Sequence, residues 1–544
     1  MTRAMTSCSP PEPGEMITLS TDVLVVGGGA AAANAAAAVA DRGYGVILIH
    51  EGRSLGARYD RNAAPFVDRL TGDPRVEILA DTRLVGATGF PGRFTVRLES
   101  GGMEQTREVG AVVIATEYSR KGLFNAYGVE RGPGVVSQGD LETALEDGGF
   151  VEKAKKTVAF VVGFGQPGTP LVLQRVLDNI RSVLEKGGPD TEIYVFVGDM
   201  QLAAEGLDRL YAEARRAGVV HFRCEQAPRV EKDAGRMTLT VTDMVLRRDV
   251  RVEPDLLVVE EELGADPDNE VLARLLGIYG DPLGFLQPSN MHFYPVRTNR
   301  EGIYVVGPAR DRMDLPATLM DAENAAVAVA RLLGDGTVEV PADRAWIDVD
   351  KCTICLTCAR VCPHGAIYWD SRAAVSPMAC QACGICTSEC PMDAIQLGGY
   401  TDAEMTAKVA DAAKKDGRGP RIVAFCCANS AWEAGMAARV ASMELPDGLR
   451  MVKSPCAGAM DMEFILDAFV HGADGVIVFT CHPDNCRSRH GNTWAGWRVA
   501  EARRRLEDAG WNPDRLVHET TASNMGTEFS RIVVDLEKRI SEMG

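Results

Sequence analysis

Short apolar runs, each closed by glycine or polar residues and followed by a stretch of helical periodicity, recur along this chain. A continuous apolar run of about five residues reads as a strand buried on both faces, and its alternation with helices reads as a parallel sheet. Strands are therefore expected at 22–26, 46–50, 112–116, 157–162 and 192–197, with helices from the glycine turn after Val26 to about Arg42 and over 169–185. The pattern lapses after Gly334-Asp335-Gly336, where VEVPADRAWIDVDK forms a polar, extended joint. TDAEMTAKVADAAKK at 401–415 reads as a short helix capped by Thr401, and DGRGP at 416–420 as a break. Alternation then resumes, with strands at 421–426, 449–453, 475–480 and 515–519 and helices near 430–442, 461–470 and 494–509. This predicts a second, smaller parallel α/β sheet.

The uncharged run VLVVGGGAAAANAAAAVA at 23–40 is about as long as a membrane span. Three consecutive glycines argue instead for strand, turn and alanine-rich helix. The chain has 544 residues, 46 % of them hydrophobic, which suits about three or four domains with their own cores. A formal charge of −18 disfavours nucleic acid, whose phosphates need a basic surface. The opening MTRAMTSCSPPEPGEM has no apolar core and reads as a loose arm rather than an export signal.

Cysteine changes the picture most. Cys352-x2-Cys355-x2-Cys358-x3-Cys362-Pro and Cys380-x2-Cys383-x2-Cys386-x3-Cys390-Pro carry the spacing that wraps two cubane iron–sulfur clusters. Three thiolates of one run grip one cube while the fourth reaches the other. Cys352, Cys355, Cys358 and Cys390 are thus expected on one [4Fe–4S] cluster, and Cys380, Cys383, Cys386 and Cys362 on the second. Zinc also takes four thiolates, but its motifs rarely repeat this pattern twice. The two halves form a short duplication of strand, cysteine turn and Ala-Ile, at Ala366-Ile367 and Ala394-Ile395.

Five more cysteines, Cys426, Cys427, Cys456, Cys481 and Cys486, fall at or after strands of the final sheet, the edge where ligands gather in open parallel sheets. They suggest a further centre, [2Fe–2S] above zinc or free thiols. Neighbours on an extended strand point oppositely, so only one of Cys426 and Cys427 is expected to bind. His482 and His490 flank the site as supporting or surface groups. Cys8 and Cys224 stand alone and read as ordinary small residues. Cluster ligation needs reduced thiols, which points to the cytoplasm.

Gly27-x-Gly29-x-x-Ala32 between strand and helix is a dinucleotide fingerprint in its proper context. Gly27 makes the turn, Gly29 admits a pyrophosphate, Ala32 allows close packing, and Glu51 is placed to accept from a ribose. Gly163-x-Gly165-x-x-Gly168 opens a second such unit ending in strand 192–197 and Asp199. That acid lies 36 residues beyond Gly163, against about 20 in the fingerprint. A retained fold with an empty or partner-filled pocket is favoured over a working NAD(P)H site.

Two segments resemble the two-dinucleotide-domain flavoproteins of the glutathione reductase type: Val112-Val113-Ile114-Ala115-Thr116, and Thr298 followed by Gly302-Ile303-Tyr304-Val305-Val306-Gly307. The resemblance implies FAD, with Ala115, Thr116 and Gly307 beside it. Glu117 stands where that family has glycine, and Pro308 where aspartate is common. No cysteine lies between residues 9 and 223, so the flavin has no local disulfide to reduce.

The whole order is similar to a heterodisulfide reductase A-type subunit fused to the delta subunit of the methyl-viologen-reducing hydrogenase. Its most specific pieces are GGYTDAEM at 398–405 and GADGVIVFTCHPDNC at 472–486. Delta subunits typically carry Cys-x-x-Cys in their first strand; here Cys427 is followed by Ala428, Asn429 and Ser430. FCCANSAWEAG resembles instead the B-subunit family of the quinone-interacting membrane-bound oxidoreductase of sulfate-reducing organisms. An extra amino-terminal cluster region and second-unit cysteines, usual in A-type heterodisulfide reductase chains, are absent from this sequence, which tilts the resemblance the same way.

The resemblance implies a fold class of α/β: a two-dinucleotide-binding-domain flavoprotein at 19–340 with an inserted second nucleotide-like unit at about 155–290, then a 2[4Fe–4S] ferredoxin domain (α+β) at 346–397, a helical linker at 398–420, and a small parallel α/β iron–sulfur domain at 421–544, after a loose arm at 1–18. It further implies an electron-transfer component without catalytic residues of its own, holding FAD, two [4Fe–4S] and one [2Fe–2S]. Expected partners are adenylylsulfate reductase, a related flavin subunit plus a membrane quinone-binding subunit, on the inner face of the membrane. Alternatives are a bifurcating oxidoreductase and a non-catalytic docking subunit.

Overall fold

The computed structural model describes residues 14–52, 64–148, 157–187, 190–233, 236–244, 247–286, 294–369, 371–415, 417 and 419–543. Cys8 and most of the 1–18 arm lie outside them, as do two residues of the break at 416–420. Met16–Thr18 pairs with Thr337–Glu339, so this end of the arm and the start of the joint form a small antiparallel sheet.

The first unit is a parallel sheet in the order Ile303–Val305, Ala111–Ile114, Asp22–Val26, Gly45–Ile49, Val76–Leu79. Its helix Ala30–Asp41 is buried along nearly its whole length. Alanine suits it because small side chains let helix Leu315–Leu333 approach through its own Ala322, Ala325, Ala326 and Ala328. The uncharged run is thus strand, turn and helix. Among the described residues no helix is long and apolar enough to cross a membrane.

A second parallel sheet follows, ordered Val135–Ser137, Leu256–Val259, Thr157–Val162, Glu192–Val197, Val220–Arg223. Each dinucleotide-type unit also carries a three-stranded antiparallel sheet, Thr82–Val109 and Arg229–Val252, where the sequence shows no helical pattern.

The terminal sheet has the order Leu449–Ser454, Ile422–Cys427, Gly475–Thr480, Leu516–Thr520, all parallel. Helix Gly491–Asp508 starts before the expected 494, and a closing helix, Gly526–Met543, covers the opposite face with Phe529, Ile532, Val533 and Leu536. The segment 402–413 is no free spacer. Thr401 and Glu404 close a capping box, and Met405, Val409 and Ala413 are buried in the same core as Phe464, Phe469 and Val478.

That core also contains Ala345, Ile347, Ile367, Val375 and Ile395, so the cysteine-rich segment and the terminal sheet fold around one apolar interior. The contact is close at Gly458, whose carbonyl accepts from Ser388 Oγ (2.7 Å) and Arg498 Nη1 (2.8 Å). A Cβ at Gly458 would lie 2.6 Å from Ile385 Cγ1 and 2.8 Å from Gly491 Cα. Gly458→Ala is expected to destabilise this region by ~1–3 kcal/mol through overpacking. A urea unfolding midpoint equal to that of the native chain would mean that the two parts are not packed this closely.

Candidate cofactor sites

Asp22–Val26 lies between Gly45–Ile49 and Ala111–Ile114, the point where strand order reverses and α/β sheets place ligands. A cavity of about 450 Å³ opens there, lined among others by Gly27, Gly29, His50, Glu51, Thr116 and Glu117. Gly27 is obligatory: a Cβ would lie 2.0 Å from the Ala115 carbonyl oxygen and 3.2 Å from the Cβ of buried Ala32. Thr116 Oγ1 donates to Asn269 Oδ1 (2.7 Å), and Asn269 Nδ2 to the Gly284 carbonyl (3.1 Å). Gly307, at φ +57°, lies against Ala31 and Thr318. Its N–H donates to Asp321 Oδ2 (3.1 Å), which also accepts from Arg310 Nε (2.6 Å). The aspartate missing after Gly307 thus has a counterpart on the following helix. Glu117 lies over Gly29, with Oε1 1.6 Å from where a Cβ would stand. The cradle fits a dinucleotide provided that this one side chain rotates away from the pyrophosphate position.

The cysteine loops share a backbone signature. The residues flanking the second cysteine of each run, Ile354 and Leu356, then Ala382 and Gly384, all have positive φ. Left-handed conformation is costly for Ile, Leu and Ala, and its recurrence at matching positions marks loops curled around something. A cavity is lined by Cys352, Cys355 and Cys358 of the first run and by Cys390 of the second. Cys362 has Cys383 and Cys380 as neighbours, and Cys386 has Cys383, Cys362, Cys380 and Cys358. The fourth cysteine of each run thus lies beside thiols of the other run. N–H groups turn onto sulfur in both runs, Ala366 N to Cys362 Sγ (3.4 Å) and Ala394 N to Cys390 Sγ (3.3 Å).

Electrostatics favours the neutral thiol at most of these positions. Burial pushes Cys358 and Cys362 up to about 11 and raises Cys380, Cys383 and Cys386 as well. Such thiols ionise readily only when metal charge replaces the proton. Exposed Cys355 is lowered by its hydrogen bond with Thr357.

At the end of the terminal sheet Cys427, Cys456, Cys486 and Cys481 form a ring, each hydrogen-bonded to two of the others. Those bonds hold Cys456 and Cys481 up and Cys427 and Cys486 down. Cys427 and Cys481 are 3.7 Å apart, and two thiolates on one tetrahedral ion at about 2.3 Å would be roughly 3.8 Å apart. Gly491 makes room: a Cβ there would lie 2.5 Å from Cys456 Sγ. Cys426 corrects the candidate set. It points into the opposite apolar face among Ile422, Ala424 and Phe479, where burial raises its pKa, and is not in the ring. His482 bonds to Thr520 Oγ1 (2.8 Å) and Met525 Sδ (3.3 Å), and His490 packs near Trp494. Cys224 is a buried single thiol.

The clustered cysteines adjoin both the terminal ring and the first nucleotide-type unit. Cys383 hydrogen-bonds Ser488 and lies near Cys486. On the other side, Asn299 Nδ2 donates to the Pro363 carbonyl (2.9 Å), and half-buried Arg300 lies beside Cys362. Asn269, Asp321 and Glu260 are not apparent as site residues in the sequence, because they act across large sequence separations and carry no local signal.

The family model described as "Methyl-viologen-reducing hydrogenase, delta subunit" matches residues 422–544. "4Fe-4S binding domain" matches 345–368, and "Pyridine nucleotide-disulphide oxidoreductase" matches 22–101. The A subunit of the Ferredoxin:CoB-CoM heterodisulfide reductase of Methanosarcina mazei is 27 % identical over 80 % of this chain and 58 % of its own length. The iron-sulfur A subunit of the CoB–CoM heterodisulfide reductase of Methanocaldococcus jannaschii is 32 % identical over 34 % of this chain and 29 % of its own. Thioredoxin reductase from Lactococcus lactis aligns with 58 % of this chain and all of its own, at 16 % identity and a TM-score of 0.40. The chain thus spans little more than half the length of the first of these reductase components. It joins a segment similar to the A subunit of heterodisulfide reductase, with flavoprotein and 4Fe-4S parts, to a domain similar to the hydrogenase delta subunit.

Proposed function

We propose that this chain is an electron-transfer subunit of a larger oxidoreductase, with FAD in the first unit, two [4Fe–4S] clusters in the exchanged cysteine sets and a [2Fe–2S] cluster in the terminal ring. The observation that carries the reading is spatial. The clustered cysteines and the terminal ring lie in or against a single core, with Cys383 against the ring on one side and Cys362 against Arg300 of the flavin-type unit on the other. FAD, when bound, exchanges electron pairs for single electrons, and the clusters pass single electrons. The chain's own part is to hold the carriers close, exclude water from all but the outer set, and supply N–H bonds that set potential.

The finer reading is a relay between adenylylsulfate reductase and a membrane quinone-binding subunit, with a related flavin subunit, at the inner face of the membrane. FCCANSAWEAG supports it. Participation in a bifurcating heterodisulfide reductase-like complex is the second reading, favoured by the similarity to heterodisulfide reductase A subunits. Proteins recovered with the native chain after mild crosslinking discriminate: a quinone-binding membrane protein supports the first, a hydrogenase or formate dehydrogenase the second.

Anaerobic isolation is expected to yield FAD and about ten iron and ten sulfide per chain. A protein without flavin would sink the redox reading of the first unit, and zinc in place of two irons would replace the third cluster by a structural ion. Cys456→Ala is expected to abolish one EPR-visible cluster while sparing the cubanes, whereas Cys426→Ala leaves all three. An unchanged spectrum in the first variant, or a lost signal in the second, would reverse the ligand assignment. Glu117→Gly removes a carboxylate from the pyrophosphate position and is expected to tighten FAD binding by roughly tenfold, about 1.4 kcal/mol. Weaker reconstitution in fluorescence titration would instead make Glu117 a ligand of the dinucleotide.

A further inference from the structure

The second glycine loop is already filled. Gly163 N donates to Glu260 Oε2 (3.0 Å), and Gly165 N to Glu260 Oε1 (3.1 Å). Gln166 Nε2 reaches the same carboxylate at 3.4 Å and the Glu261 carbonyl at 2.8 Å, and the Tyr127 hydroxyl donates to Oε1. Glu260 is 0 % exposed. A carboxylate with four donors, two of them backbone N–H groups of a glycine loop between strand and helix, makes the contacts by which such loops hold a phosphate.

The surroundings fix it there. Glu260 directly follows strand Leu256–Val259, which is hydrogen-bonded to Thr157–Val162, the strand that delivers the loop. The backbone carbonyl of Glu260 accepts from Leu123 N (3.0 Å). The next residue, Glu261, is anchored by Arg175 (2.5 Å) and by Gly139 N (3.0 Å). Gly163 and Gly168 are closed from behind, since a Cβ on either would lie 2.6 Å or less from the Asp199 backbone. The first unit differs in kind: Glu117 also lies over its glycine loop, but it borders an open cavity.

We propose that Glu260 is the resident occupant of the second anion cradle, a carboxylate standing where this motif would otherwise take a nucleotide phosphate, so that the unit binds no pyridine nucleotide. A dianionic pyrophosphate would have to expel a buried carboxylate and meet its charge. The four donors lost to Glu260 in that exchange are the ones the ligand needs. The second unit then serves as a rigid wall of the flavoprotein fold. This inference does not depend on the cluster assignments.

The test uses the full chain and equilibrium dialysis, which needs no flavin signal, with NADH, NADPH and inorganic pyrophosphate as probes. The wild-type chain is expected to show no saturable binding of the three at the second unit up to millimolar concentration. Occupancy is located by protection of residues 163–168 from hydrogen exchange. Saturable NADH or NADPH binding with protection there overturns the proposal without any variant. Glu260→Ala frees the donors, and pyrophosphate binding is expected to rise at least tenfold, with formate raising its melting temperature and leaving the wild type unchanged. A folded Glu260→Ala chain that gains neither effect also overturns it. Glu260→Gln keeps the shape but removes the charge, and should melt several degrees lower. An unchanged melting temperature would mean that the carboxylate does not hold the loop.

Discussion

A thiolate removed from water needs a positive charge beside it, and the region from 345 to 543 is arranged around that requirement. Burial raises Cys358, Cys362, Cys380, Cys383 and Cys386, so these loops would hold protonated thiols unless metal takes the protons' place. The same burial is useful to an electron carrier because it excludes water and lets nearby N–H groups set the potential. Left-handed residues at matched places give the two loops the same curl around their cysteines. The common apolar interior then keeps the three sets in fixed relation, which a flexible joint between separate domains would not.

A second constraint governs the nucleotide-type units. Both present a glycine loop at the end of a strand, and in both an acid of the chain lies against that loop. The outcomes differ because of what surrounds the acid. Glu117 borders a cavity into which a ligand and a rotating side chain can both fit, whereas Glu260 is enclosed and shares its oxygens among four donors. A shared motif therefore serves as a binding site in one place and as internal architecture in the other. The glycines alone are compatible with either.

Much of the fold was legible because it is encoded locally. The strands Asp22–Val26, Thr157–Val162, Glu192–Val197 and Gly475–Thr480 stand where short apolar runs placed them. Strand alternation alone implied that Cys426 and Cys427 face opposite ways, and the structure shows which one joins the ring. Helix 402–413 was legible as a helix, through its capping box, but not as a member of the core, because its apolar face does not say what covers it.

The sequence by itself determined the order of the units, the glycine turns and the spacing of the eight clustered cysteines, since each is set within a few tens of residues. Only the tertiary structure decided that Asp321 serves Gly307, that Glu117 stands over Gly29, that Glu260 fills the second loop, and that cysteine loops and terminal sheet share one interior. The physical reason is the range of the interaction. Periodicity and turn chemistry act between near neighbours, while a carboxylate 97 residues from the N–H it meets is brought there by the packing of whole sheets.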